Sequence, residues 1–323
     1  MSMNRRQFLS MTGATALVAV CSPTALSEQS PAQHAWPGAS TTLKAMQNLK
    51  QQKKRMLGYP INMVTPAEEF FAWRNELAAV GFNQFAFNNV GNPYDHSHIP
   101  FNCHPFEKEL IDRFGVIYGF SLDNIWGFLS HSGTDSNMHG LYMGRTILKN
   151  RAGVMPKIYF TKEAHYSIQI LRDLLNLEWV VVGTLTDGSM DVADLERQLN
   201  AHPNHPALVV ATIGTTFKGA IDPIDGIQSK LKGRTAYLHL DAALFGGYLP
   251  HTQFAADLLH EVSDPVSGKK QKRYDSIAVS CHKFFGFPSP AGLFITTQTN
   301  FELFRTQFSQ IHDPEYILQV PGT

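Results

Sequence analysis

The sequence predicts an α/β fold built on one mostly parallel sheet with helices on both faces. Three observations carry that reading. Short apolar runs rich in β-branched and aromatic residues recur at 158–160, 179–182, 208–211, 237–240, 277–279 and 293–295. Helical patterns such as Tyr166 to Leu175 and Val192 to Leu199 separate most of them, and strand–helix alternation is the mark of parallel crossovers. The composition is globular: 323 residues, 43% hydrophobic and 17% charged, enough for one large domain or two smaller ones.

From the N-terminus, Asn4-Arg5-Arg6-Gln7-Phe8-Leu9 is a twin-arginine pattern, followed by an uncharged run from Met11 to Leu26. That run suits a signal h-region better than a membrane span, and Ala25-Leu26-Ser27 offers a small-x-small cleavage site. Residues 1–27 are therefore expected to be an export signal and the protein periplasmic, with a disordered tail on a cytoplasmic protein as the alternative. Val20 makes Cys21 a poor lipid-anchor site. Residues 28–56 form the next unit, an arm rich in Ser, Pro, Ala and Gln with a helix from Leu43 to Arg55 at its basic end. Residues 57–310 are the expected main domain, and 311–323 the start of a further C-terminal segment.

Within the main domain, Thr65-Pro66-Ala67-Glu68 reads as a capping box opening a helix with Phe70, Trp73, Leu77 and Val80 on one face. A second helix is expected over Pro105 to Phe114, with Phe106, Leu110, Ile111 and Phe114 as its apolar stripe. The formal net charge of +0 leaves no basic excess to hold nucleic acid or an anionic membrane. Cys21, Cys103 and Cys281 are too scattered for a disulfide framework or a metal knuckle. Asp95-His96-Ser97-His98 has ligand-type residues, but the spacing suits no common closed metal site, so no metal is expected.

In open α/β sheets ligands bind at the carboxyl ends of the strands, so the residues just after each apolar run carry the functional reading. Gly133-Thr134-Asp135-Ser136-Asn137 is a polar turn leading into a helix from Met138 to Leu148, a possible anion site that by itself resembles any N-cap. His165 follows the run at 158–160. Thr215 and Thr216 follow Gly214 after the run at 208–213. Asp241-Ala242-Ala243 follows 237–240, and a carboxylate emerging from a buried strand needs a cation or donors beside it. Last comes Ser280-Cys281-His282-Lys283, a lysine where burial is expected.

One chemistry uses every one of these groups. Pyridoxal phosphate needs an amine for its aldehyde, a carboxylate to keep its ring nitrogen protonated, a flat group on the ring face and an anion cradle. Lys283 supplies the amine and Asp241 the carboxylate, through a charge-assisted hydrogen bond.

The segments "HYS" at 165, "IGTTFKGAID" at 213, "HLDAA" at 239 and "SCHKFFGFPSP" at 280 resemble the group II pyridoxal-phosphate-dependent amino-acid decarboxylases. Bacterial pyridoxal-type histidine decarboxylases are the nearest in pattern, through "GYP" at 58 and "FEKE" at 106 as well. The resemblance runs from about residue 57 to 320. It implies an aspartate-aminotransferase-like large domain of fold type I, followed by a small C-terminal domain, with active sites at a homodimer interface. It implies Lys283 as the Schiff-base lysine, Asp241 as the ring-nitrogen partner, His165 stacked on the ring and Ala243 against its other face. Gly133, Thr134, Ser280 and His282 would cradle the phosphate, and Thr215 or Thr216 would lie near the ring hydroxyl. Tyr59, Asn62 and His98 are substrate-pocket candidates by their place in the N-terminal region. The chain departs from the family at Cys281, where glycine is usual, and it stops at Thr323 before an "SGSR"-like segment, which implies a C-terminally truncated member.

The implied reaction is decarboxylation of an L-amino acid, histidine first, with the final proton coming from His165 or from a residue outside this chain. A desulfurase would need a cysteine after Lys283, and none follows. An aminotransferase would need a carboxylate-binding arginine late in the chain, where only Arg305 stands. The other alternative is an inert remnant that binds the cofactor or dimerises without turnover.

Overall fold

The computed structural model describes residues 39–82, 84, 89–97, 102–253, 262–263, 270–271 and 274–307. The expected signal (1–27), residues 28–38 of the expected arm, the final segment 311–323 and His98 lie outside the described residues. The chain divides into units Met1–Lys53 and Lys54–Thr323. In the first, helix α1 spans Ala39–Gln51 rather than Leu43 to Arg55. A single 3-10 turn, Lys53–Arg55, follows it, so the basic end is helical but not part of α1.

The second unit opens with α2 (Glu68–Ala79) and α3 (His104–Ile117). The expected capping box is not made: Ala67 is the N-cap and no side chain caps α2. No residue of α2 is buried, and Trp73 and Val80 of its apolar face are 50% and 73% exposed. On α3 the expected stripe splits: Ile111 is fully buried and Phe114 packs against the core, whereas Phe106 and Leu110 lie outside it.

The sheet then follows: β1 (Ile125–Ser130), β2 (Lys157–Thr161), β3 (Glu178–Val182), β4 (Ala207–Thr212), β5 (Ala236–Asp241), β8 (Ser276–Ser280) and β9 (Gly292–Thr297). The short pair β6 (Val262–Ser263) and β7 (Lys270–Gln271) forms a separate ladder. The helices between are α4 (Gly133–Ala152), α5 (Tyr166–Leu174), α6 (Val192–Ala201) and α7 (Ile224–Leu231), with α8 (Gln298–Arg305) after β9. The seven strands lie in the order β1-β9-β8-β5-β4-β2-β3, and only β9 runs against the rest. All the expected runs are strands, extended by one to three residues.

β1 is the strand that the runs did not reveal. Gly127 interrupts its apolar pattern, and a Cβ there would collide with the Phe294 carbonyl of β9. The glycine is a close-approach position, not a break.

Two cores flank the sheet. Tyr159, Val209, Ala211, Leu238 and Leu240 face one, with α6 and α7 residues; Ile158, Phe160, Leu208, Val210 and Tyr237 face the other, with α4, α5 and α8 residues. That period of two in fully buried strands is why they read as continuous apolar runs. Trp126 stacks on Phe301 with centroids 3.9 Å apart, tying α8 to β1. No described helix is long and apolar enough to cross a membrane.

Candidate active site

Each residue singled out after a strand emerges at the same edge of the sheet. β1, β2, β4, β5 and β8 are parallel, so their carboxyl ends converge, and β9 enters from that edge at Gly292. A cavity there is lined by Ser132, Gly133, Thr134, Asn137, His165, Thr212, Gly214, Thr216, Asp241, Ala243, Leu244, Ser280, His282 and Lys283.

The anion end comes first. The helix after β1 begins at Gly133, not at Met138 as the sequence reading has it, so the polar turn is the first turn of α4. Ser132 is its N-cap and accepts from the Asp135 N–H at 3.2 Å. Free N–H groups at the start of a helix this long favour an anion. A Cβ on Gly133 would overlap Ser280 Oγ and lie 3.0 Å from the Ala243 Cβ. The glycine is what leaves a concave surface between α4, β5 and β8.

Asp241 closes β5, is buried, and accepts from the Ala243 N–H at 3.2 Å. Half-buried Lys283 follows β8, and burial holds its amine below the usual lysine range while Asp241 opposes that shift. His165 is the N-cap of α5; its Nδ1 pairs with Ser167 Oγ at 2.8 Å and accepts the Ser167 N–H at 3.3 Å. Those bonds leave Nε2 as the ring's other polar atom. Burial pushes the His165 imidazole below its ordinary value; Asp241 opposes and Lys283 reinforces the shift. These three groups thus feel one another's charge across the cavity.

The structure separates other candidates. Thr216 lines the cavity, but Thr215 is buried beside it and its Oγ1 accepts from the Ala220 N–H at 3.0 Å. Tyr59 is 56% exposed and does not line the cavity. Asn62 uses its amide on backbone, donating to the Phe284 carbonyl at 2.9 Å and accepting from the Val64 N–H at 2.8 Å. It clamps the loop after Lys283 and does not line the cavity. Cys281 is buried and its thiol is pushed up to about 12 by burial, so it behaves as an inert apolar side chain.

Ser132, Thr212 and Leu244 are lining residues that sequence reasoning missed, and Asn137 and Gly214 enter it only as members of the turns at 133–137 and 214–216. Thr212 ends β4 opposite Asp241, and its buried Oγ1 has no hydrogen-bond partner among the described residues. An unsatisfied hydroxyl next to a carboxylate marks a place where a ligand completes the polar contacts. Beneath it Asp222 accepts from the Thr212 and Met190 N–H groups at 2.7 Å each. Burial raises its carboxyl to about 6 despite those bonds. Thr212 reads in the sequence as a strand residue, so only its position opposite Asp241 reveals it.

Residues 127–306 match the conserved domain of the pyridoxal-dependent decarboxylases. The chain belongs to that family. It is 31% identical to a histidine decarboxylase of Solanum lycopersicum, over 86% of this chain and 62% of that one. It is 33% identical to serine decarboxylase 1 of Oryza sativa, over 87% and 54% respectively, and 32% identical to a histidine decarboxylase of Acinetobacter baumannii, over 68% and 55%. The chain thus spans little more than half the length of these relatives. Among solved structures, an L-methionine decarboxylase from Streptomyces sp. 590 superposes with a TM-score of 0.67 at 20% identity, covering 87% of this chain and 70% of that one. The likeness shows the same fold, in agreement with the expected fold type I architecture.

The cofactor of this family, pyridoxal phosphate, fits the residues present. The glycine-floored cradle beside Ser280 suits a phosphate, the buried Asp241 suits a protonated ring nitrogen, and Lys283 is an amine of reduced basicity on the same wall.

Proposed function

We propose that this chain carries the cofactor domain of an L-amino-acid decarboxylase, with histidine as the first substrate to test. The observation that carries the reading is the meeting of Lys283, Asp241 and His165 around one cavity whose floor is Gly133. Gly133, Thr134, Ser280 and His282 would hold the phosphate. Asp241 would keep a proton on the ring nitrogen, His165 would cover one ring face and Ala243 the other. Bound pyridoxal phosphate would supply the electron sink that accepts the pair left when the carboxylate departs as CO2.

The chain's own contribution is charge and position. Burial leaves Lys283 with an amine that loses its proton more readily than a surface lysine, as a nucleophile requires. Asp241, fixed by the Ala243 N–H, offers a preorganised negative charge away from bulk water. His165 is held by Ser167, so its ring keeps one orientation and its Nε2 remains for proton handling.

Substrate identity rests on the relatives, which act by name on histidine and on serine at nearly equal identity. Histidine leads because both a plant and a bacterial relative carry that name. The test is reconstitution with pyridoxal phosphate, followed by a panel of L-amino acids assayed for amine and CO2, histidine and serine first. A visible absorption band that Lys283→Ala abolishes, together with histamine from histidine, is the expected result. A band without amine from any amino acid would refute decarboxylation; no band at all would refute the cofactor site. The expected homodimer belongs to the same proposal, and sedimentation of the reconstituted protein checks it.

A further inference from the structure

Three fully or almost fully buried polar side chains form a line behind the cavity. Asn137 is 1% exposed, and His239 and Ser276 are 0% exposed. His239 Nε2 lies 2.9 Å from Asn137 Oδ1, and His239 Nδ1 lies 2.7 Å from Ser276 Oγ. They come from three elements: α4, β5 and β8. Asn137 alone of the three lines the cavity. Its amide nitrogen makes no hydrogen bond among the described residues.

The ring at the centre packs directly against α4. A Cβ on Gly140, one helical turn after Asn137, would overlap the His239 imidazole, so α4 rests directly on it. Burial pushes His239 down to about 3, so the ring is neutral with one donor and one acceptor nitrogen. Two self-consistent arrangements exist: either Nε2–H donates to the asparagine oxygen and Ser276 donates to Nδ1, or both directions reverse. The neighbourhood decides between them. His239 and Asp241 are two apart on β5, so their side chains leave the same face of the sheet, toward α4. Turning the amide round would aim the Asn137 carbonyl into a cavity that already holds the Asp241 carboxylate.

We propose that His239, in its Nε2–H form with Ser276 on its other nitrogen, positions Asn137 so that its amide NH2 points into the cavity as a fixed donor to an oxygen of the bound cofactor. Asn137 is then a cofactor-binding residue, and His239 and Ser276 are positioning residues that act through it. The inference rests on the cofactor reading of the cavity given above. It explains why a buried histidine with no route to solvent is placed two residues before Asp241.

The experiment measures pyridoxal-phosphate affinity of the whole chain by its visible band, alongside melting curves, for four proteins. Relative to wild type, Asn137→Ala is expected to weaken binding roughly ten- to hundredfold, as for loss of a hydrogen bond to a charged oxygen. His239→Phe, which frees the amide to rotate, should weaken it several-fold. His239→Gln, which restores a donor toward Asn137 Oδ1, should recover part of that loss, a rescue that packing alone does not predict. The 15N shifts of His239 in the wild-type protein report the tautomer without any variant, so folding defects leave the idea testable. Protonation at Nδ1, wild-type affinity in Asn137→Ala, or equal affinity of the Phe and Gln variants would each overturn it. A wild-type protein that shows no cofactor band would instead overturn the underlying reading of the cavity.

Discussion

Gly133→Ala tests the anion cradle by replacing one hydrogen with a methyl group at one place. Built on the observed backbone, the new Cβ lies 3.0 Å from the Ala243 Cβ and overlaps Ser280 Oγ. The serine hydroxyl can rotate away, but Ala243, two residues after the end of β5, has no rotamer to change. Overpacking of this kind costs about 1–3 kcal/mol. If the strain falls on the cradle, that corresponds to roughly 5- to 150-fold weaker cofactor binding. A helix-favouring alanine at the first position of α4 offsets only a few tenths of this. The assay is titration of the apo protein with pyridoxal phosphate, with the melting temperature measured in parallel. Adding Ser280→Ala removes the overlapping oxygen and should restore part of the lost melting temperature, because the two positions touch and must couple. Wild-type affinity and stability in Gly133→Ala would refute the claim that the glycine is needed for space.

Three further outcomes are expected. Asp241→Asn should lower turnover more than cofactor affinity, because it removes the charge that holds the ring-nitrogen proton while leaving the cavity's shape; separate measurement of kcat and cofactor Kd checks this. Acid should destabilise the fold through His239: its folded value of about 3 lies below the ordinary 6.5, so the unfolded chain binds the extra proton across that interval and stability falls as pH drops through it. The gap is worth up to about 5 kcal/mol, and His239→Gln should flatten the urea-midpoint profile between pH 6.5 and 4. Asp222, raised to about 6, has the opposite slope, so the variant must be compared with wild type at each pH. Finally, Arg5→Lys with Arg6→Lys should block export of the folded protein, read by fractionation of cells producing the full chain; unaltered export would refute the twin-arginine reading.

The groups with chemistry at strand ends were legible because a buried parallel strand shows as an apolar run and its ligand edge is the next few residues. Asp241, His165, Ser280 and Lys283 were found in that way, and the cavity gathers all of them. The start of α4 was placed late because Gly133-Thr134-Asp135-Ser136 has the composition of a turn; burial of Ser136 and Asn137 against the sheet carries the helix back to Gly133. Thr65 looked like a helix cap, yet α2 begins one residue after Ala67 with no side-chain cap. Local chemistry proposed both, and long-range packing chose differently.

By itself, the sequence determined six of the seven strands of the main sheet, the edge at which function must lie and the chemical types gathered there, since these follow from hydrophobic period and strand-end position. Only the tertiary structure decided which of two adjacent threonines faces the cavity, that Asn62 binds the lysine loop rather than a pocket, that Thr212 lines the cavity, and that His239 is bonded to Asn137 behind it. Those three lie inside a strand or a helix. Their roles come from partners on β5, α4 and β8 as much as 102 positions away, a separation to which no local pattern is sensitive.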